Sequence, residues 1–201
     1  MVSNESRPYR KKKRALQEQE TRLRITEAAV ELHRSVGPAR TTIKEVAERA
    51  GVGRMTVYNH FPTDAELLEA CTSHYMAGHP PPDPSALAAV EDPGERIEVA
   101  LRELFAWYRE TEEMTANALR DSPLVPALDA VMRQRFWPLL DGIVDVLAAG
   151  RGARGARRER LLAALRVAVD FGTWRTLVHA GLDDAAAARL AGRFVEAAEL
   201  A

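Results

Sequence analysis

Between Arg54 and His60 the run R-M-T-V-Y-N-H concentrates an unusual set of side chains in seven residues. Arg54, Thr56, Tyr58, Asn59 and His60 all offer hydrogen-bonding groups, and Met55 adds an apolar end. A solvated helix normally shows Glu and Lys instead. Such a set suits the surface of a nucleic acid. Asn pairs bidentately with adenine, Arg pairs with guanine, and an apolar contact reads the thymine methyl. Tyr and Thr hydroxyls suit phosphate oxygens. Two other groupings invite different chemistry. Gly150 to Gly155 matches G-x-G-x-x-G, with Asp170 twenty positions after Gly150, which is the outline of a dinucleotide fingerprint. That fingerprint must follow a strand, whereas Phe136, Leu139, Leu140, Ile143, Val144 and Leu147 carry helical spacing into this loop. Cys71, His74 and His79 carry zinc-ligating atoms, Cys71 and His74 one helical turn apart, but no fourth ligand is adjacent. There is no nucleophile elbow, H-E-x-x-H or P-loop. The expectation is therefore no enzymatic activity, no cofactor and no metal.

The elements that must position the Arg54–His60 set all read as helical. Residues 1–15 are polar and basic, with Arg7, Arg10, Lys11, Lys12, Lys13 and Arg14, and read as a disordered arm because they bury almost nothing. Periodicity starts near Leu23 and runs through Ile25, Ala28, Ala29 and Leu32 until Gly37-Pro38 stops it. Thr42-Ile43-Lys44-Glu45 reads as a capping box that opens a short helix ending at Gly51. A second short helix spans Arg54 to Phe61 and closes at Pro62. Two short helices joined by a tight glycine turn have the plan of a helix-turn-helix. Ala47 is small where the helices would cross, Gly51 suits a left-handed turn, and Val52 and Val57 would plug the angle between them. Thr63 to Glu66 looks like another capping box, for a helix through Leu67, Leu68 and Cys71. His79 to Pro84 reads as a stiff linker. Beyond it Pro93 starts a helix carrying Ile97, Leu101, Leu104, Phe105 and Tyr108, followed by a short piece at 113–121 and a longer helix at 125–148. The Gly150–Arg157 loop precedes two Ala- and Leu-rich helices, at 158–181 and 183–200. No segment shows sustained two-residue alternation, so the predicted fold class is all-α.

Charge separates the chain into two parts. Residues 1–61 carry 13 Lys and Arg against seven Glu, a net +6, while the other 140 carry 15 Arg against 22 acids, a net −7. A basic first third suggests that it meets a polyanion; a membrane surface would satisfy the same charge. No stretch approaches the roughly 18 uncharged apolar residues of a membrane helix, and no apolar segment follows the basic start as in a secretory signal. The single cysteine, Cys71, fits a reducing compartment. The expected location is the cytoplasm.

The run T-T-I-K-E-V-A-E-R-A-G-V-G-R-M-T-V-Y-N-H-F, Thr41–Phe61, resembles the DNA-binding domain of the TetR family of bacterial transcriptional regulators. R-I-T-E-A-A-V-E-L before it is similar to that family's first helix, so the likeness covers about residues 20–76. The resemblance implies that Thr42 anchors a phosphate and that Arg54, Met55 and Thr56 face bases or adjacent phosphates. It further implies that Tyr58 and His60 clamp the backbone, that Asn59 faces the groove and that Phe61 packs inward. Lys44 and Gly53 complete the expected DNA-binding set. The chain departs from the family pattern at Gly53, where Ser is usual, at Asp64, where Lys commonly touches phosphate, and at His33, where an aromatic is usual. The expected domains are the arm, a helix-turn-helix domain over 16–62 and a ligand-binding and dimerisation domain over 63–201. Trp107, Tyr108, Met114, Asn117, Phe136, Trp137, Asp170 and Trp174 are the candidate pocket residues, for a small-molecule effector whose identity the sequence does not give. The expected partners are a double-stranded, near-palindromic operator and a second copy joined through the last two helices. The expected function is a repressor released from its operator by that effector, or alternatively an architectural or activating DNA-binding protein without ligand control.

Overall fold

Helical spacing governs the whole described chain. The computed structural model describes residues 6–200, which form helices joined by short loops, with no strand among them. The first helix, α1, spans Ser6–Ser35, so the segment read as a disordered arm is helical from Ser6 onward. Residues 1–5 lie outside the described residues. A helix already nucleated on a core gains one hydrogen bond for each residue added without a new nucleation cost. An Arg14–Glu18 pair at 3.2 Å, one turn apart, supports the extension.

The chain divides into two compact units. The first contains residues through Gly78 together with Ala116–Asp129. It holds α1, a 3₁₀ turn at Pro38–Arg40, α2 (Ile43–Ala50), α3 (Arg54–His60) and α4 (Asp64–Gly78). Its core joins Ile25, Ala29, Leu32, Val46, Ala47, Val57, Phe61, Leu67 and Cys71. The expected boundary after residue 62 thus falls inside this unit. The apolar face of α4 is buried against α1, and a helix whose buried side belongs to one core cannot be assigned to another.

The second unit contains His79–Thr115 and the residues from Ala130 onward. Here Asp83 accepts a hydrogen bond from the Ser85 amide and Pro84 takes the first turn, giving a short helix, α5 (Pro84–Ala88), inside the expected linker. The helix expected to end before a separate piece at 113–121 is instead one element, α6 (Pro93–Asp121), since neither Gly nor Pro interrupts it. The segment expected as one helix over 125–148 contains α7 (Pro126–Val131), a π-helical turn at Met132–Phe136 and α8 (Trp137–Ala148). Pro138 explains the wide turn, because its ring and missing N–H are incompatible with an ordinary bond to the carbonyl four residues back. The segment expected at 158–181 is two helices, α9 (Gly155–Val169) and α10 (Phe171–His179). Asp170 divides them by accepting the Gly172 and Thr173 amides at 2.8 and 3.3 Å. The last helix, α11, spans Asp184–Leu200. The glycine-rich loop Gly150–Gly155 joins two helices, α8 and α9.

Candidate nucleic-acid interface

Local hydrogen bonding fixes the ends of the two short helices. At the start of α2 the Thr42 hydroxyl accepts the Glu45 amide at 3.2 Å, and the Glu45 carboxylate accepts the Thr42 amide at 2.8 Å. The Thr42 hydroxyl also donates to that carboxylate at 2.7 Å, and this bond, followed by the one from the Thr42 amide, holds the Glu45 carboxyl below its usual range. At the end of α2 Gly51 adopts φ 65°, ψ 38°, the left-handed region where a side chain is disfavoured. The Val52 amide then reaches back to the Ala47 carbonyl at 2.9 Å, closing a Schellman turn. That closure sets the angle at which α3 leaves α2.

α3 has two faces. Val57 is fully buried and Phe61, just after it, is 2% exposed; each anchors the helix with roughly 1.5–3 kcal/mol of apolar burial. On the other side Met55 is 71% and Tyr58 48% exposed, with Arg54 and Asn59 also open to solvent and Thr56 and His60 half-buried. A helix of seven residues is about 10 Å long, short enough to lie in a major groove about 12 Å wide. The structure thus places Arg54, Met55, Thr56, Tyr58 and Asn59 on one projecting element. Thr42 is exposed at the start of α2, its hydroxyl engaged by Glu45. Lys44 lies on the same helix in an exposed pair with Glu48 at 3.8 Å, which is worth little on a solvated surface. Gly53 is the N-cap of α3 at φ −78°, ψ 151°, and provides no side-chain cap. Asp64 is exposed in the first turn of α4, where its charge suits the helix end.

Two groups of positioning residues escape sequence reasoning. Arg22 of α1 donates to the His60 carbonyl at 2.5 Å, and its guanidinium lies 4.0 Å from the centroid of the Phe61 ring. It holds the C-terminal end of α3 from 38 residues away, a separation at which no local pattern exists. The end of α6 grips the end of α1. Asn117 donates to the His33 and Arg34 carbonyls at 3.1 and 2.7 Å, and Arg120 to the Val36 carbonyl at 2.9 Å. Asp121, 2% exposed, accepts the Ala39 amide at 3.0 Å. Burial alone would raise the Asp121 carboxyl, but the bonds from Arg120 and Ala39 and the charges of Arg120 and Arg40 outweigh it and hold it below the usual range. His33 is buried beside this clamp; burial lowers its imidazole to about 4, against a smaller upward pull from Asp121.

The candidate pocket residues meet different fates. Trp107, Tyr108, Phe136, Trp137 and Trp174 form one connected aromatic cluster together with Phe171, which the sequence did not single out. Centroid separations run from 5.0 Å for Phe136–Trp137 to 6.4 Å for Trp107–Phe136. Their polar ends are engaged: the Tyr108 hydroxyl by the Val169 carbonyl at 2.7 Å, Trp107 Nε1 by the His79 carbonyl and Trp174 Nε1 by Asp184, both at 3.0 Å. Trp137 is 40% exposed and Met114 half-buried. Asp170 and Asn117 do not join the cluster. Asp170 is exposed and caps α10, while Asn117 serves the end of α1, because each finds backbone partners closer at hand.

Residues 25–71 match the family described as bacterial regulatory proteins, TetR family. The helix-turn-helix unit belongs to the TetR family. The regulator TtgR of Pseudomonas putida is 50% identical over 52 residues, 26% of this chain and 25% of that protein. The chain is thus aligned with only a quarter of this relative's length. Solved structures of low sequence identity share the fold as a whole. A TetR-like transcriptional regulator from Rhodococcus sp. RHA1 has a TM-score of 0.62 at 18% identity, over 88% of this chain and 93% of that one. NalD, the secondary repressor of the MexAB-OprM multidrug efflux pump in Pseudomonas aeruginosa, has a TM-score of 0.62 at 19% identity, over 90% and 95%. TetR-type architecture therefore extends across nearly the whole chain, while the family match itself covers residues 25–71.

Proposed function

We propose that the chain is a TetR-type transcription regulator that binds operator DNA as a homodimer in the bacterial cytoplasm, and that a small molecule releases it. The observation that carries this reading is the division of α3 into a buried side, Val57 with Phe61 behind it, and a projecting side of Arg54, Met55, Thr56, Tyr58 and Asn59. Such a helix is held from one side and free to enter a groove from the other. For the dimer, Val167 on α9 and Phe194 on α11 leave large apolar side chains 57% and 49% exposed, while small residues Ala187, Ala188 and Ala191 bury the other side of α11. An apolar face of this kind suits a second copy. Two heads related by a two-fold axis would read half-sites about one helical turn, roughly 34–36 Å, apart. No helix among the described residues is long and apolar enough to cross a membrane.

Release by a small molecule would follow if the effector bound better to a state whose heads no longer match successive grooves. The aromatic cluster around Tyr108 and Trp174 is the apolar wall such a molecule would meet. A second reading, DNA binding without ligand control, draws on the same cluster, because its polar ends are already bonded within the protein. Footprinting on DNA upstream of the gene, with wild type and Tyr58→Ala, tests the first part. One short near-palindromic footprint, weakened at least tenfold in the variant, is expected; equal, unselective coverage by both proteins would overturn it. Titrating the footprinted complex with a panel of small molecules while following tryptophan fluorescence separates the two readings. Release together with a fluorescence change supports effector control, and no response across the panel favours the second reading.

A further inference from the structure

We propose that the cationic overhang of α1 tracks the DNA backbone flanking each half-site, so that the footprint extends past the reach of the recognition helix. This rests on the DNA-reading role of α3. Ile25 is the first α1 residue in the core, and Arg22, one turn earlier, is bonded to the His60 carbonyl at the end of α3. From Arg22 toward its N-terminus the helix overhangs the unit. At 1.5 Å per residue Arg14 stands about 12 Å and Arg10 about 18 Å beyond Arg22 along the axis. Every residue from Arg10 to Arg14 is exposed. Arg14, Glu18 and Arg22 follow one another at i, i+4 spacing, and with Ala15 they line an open groove whose other wall is Thr56, Asn59 and His60.

Chemistry selects the occupant of that groove. Five consecutive cations put like charges at i, i+3 and i, i+4 positions, which destabilises a helix. The exposed Arg14–Glu18 ion pair offsets only part of that repulsion. A polyanion lying along the overhang removes the repulsion. The wall that Thr56 and Asn59 supply is the side of α3 that faces bases, so a strand leaving the recognition helix passes next under Arg14 and Lys11. With base pairs 3.4 Å apart, an overhang of about 18 Å reaches about five base pairs past the contact at His60. Lysines and arginines meeting phosphates bind without reading sequence. The flank is therefore sensed by length and not by base composition.

The test uses the full-length protein and a binding duplex selected from a random pool, rebuilt with flanks of zero, five and ten base pairs in two unrelated sequences. The wild type is expected to gain affinity as the flank grows to about five base pairs, with no further gain at ten and no dependence on flank sequence. Lys11→Gln/Lys12→Gln/Lys13→Gln is expected to lose that gain and to lower the logarithmic salt slope by about 0.9 for each phosphate released. Its preference among core sequences should match the wild type. Ala15→Pro keeps all five cations but breaks the helix carrying them, and is expected to lose the flank gain as well. An unchanged flank dependence and salt slope in the triple variant would overturn the proposal, and a full flank gain in Ala15→Pro would overturn the requirement for a helical track. Tyr58→Ala keeps the two readings apart: if it binds as selectively as wild type, the recognition-helix reading fails, whatever the overhang does. A pool that yields no selected sequence removes both.

Discussion

Replacing Gly37 by Ala should weaken the first unit more than a glycine substitution in a loop ordinarily does. Gly37 sits at φ 99°, ψ 154°, a region open almost exclusively to glycine, where another residue is strained by about 1–3 kcal/mol. A Cβ there would also stand 2.2 Å from Arg120 Nη2 and 2.3 Å from Asp121 Oδ2. The Arg120 guanidinium is flexible and partly exposed, so it can swing aside, giving up its bond to the Val36 carbonyl. Asp121 cannot: its short side chain is buried and holds the Ala39 amide. Losing one or both of these charge-assisted bonds adds about 1.5–3 kcal/mol for each. The total is about 2.5–9 kcal/mol, a large part of the roughly 5–15 kcal/mol that holds a typical domain together. For a unit of this size that lowers the melting temperature by more than about 10 °C. Circular dichroism melts of Gly37→Ala measure it. Gly181→Ala is the control, since Gly181 also has a positive φ, 97°, but nothing lies within 4 Å of the added Cβ. If the two variants lose the same stability, the grip of Arg120 and Asp121 on the end of α1 contributes nothing and the reasoning is wrong.

Two further outcomes follow from the same unit. His33 has its imidazole lowered from 6.5 to about 4 by burial, so the native state favours the neutral form. Its contribution is complete above a pH of about 6.5 and is lost as pH falls from there toward about 4, by about 3 kcal/mol at most. Asp121, the charged group facing it, stays ionised over that window. Urea unfolding at pH 7, 5.5 and 4.5 should show a steeper acid loss for wild type than for His33→Leu; parallel curves would remove His33 as the cause. Gly53→Ser should stabilise α3, because the backbone there is ordinary and a new Cβ would meet only Thr56 Oγ1, at 3.9 Å. A serine hydroxyl at the cap can accept the Thr56 amide, worth about a few tenths of a kcal/mol over glycine. A rise of about 1–3 °C in the melt is expected, and a lowered melting temperature would refute the capping argument.

How much of this was legible beforehand varies from element to element. Thr42 with Glu45 and Gly51 with Val52 announce α2 and its turn in a few adjacent letters, because caps and turns are closed by atoms within six residues of each other. The same holds for Val57 and Phe61, whose spacing marks the buried side of α3. The continuity of α6, the π-helical turn before Pro138 and the break at Asp170 are not legible in the helical periodicity. Pro138 and Asp170 are local signals at the last two, but helical periodicity runs unbroken through both. The overhang of α1 has the composition of a disordered tail, whereas its conformation is inherited from the helix it continues.

The sequence by itself determined that the chain is helical, that residues 41–61 form a helix-turn-helix and which side chains that motif presents, since each depends on neighbours in the chain. Only the tertiary structure decided what those elements are held by. Arg22 behind Phe61, Asp121 against Ala39, α4 in the core of the first unit, and the closing of Trp107, Tyr108, Phe136 and Trp174 into one cluster all join residues from well-separated parts of the chain. Apolar burial and desolvated charge act through space, and no sequence window is long enough to hold both partners of such a contact.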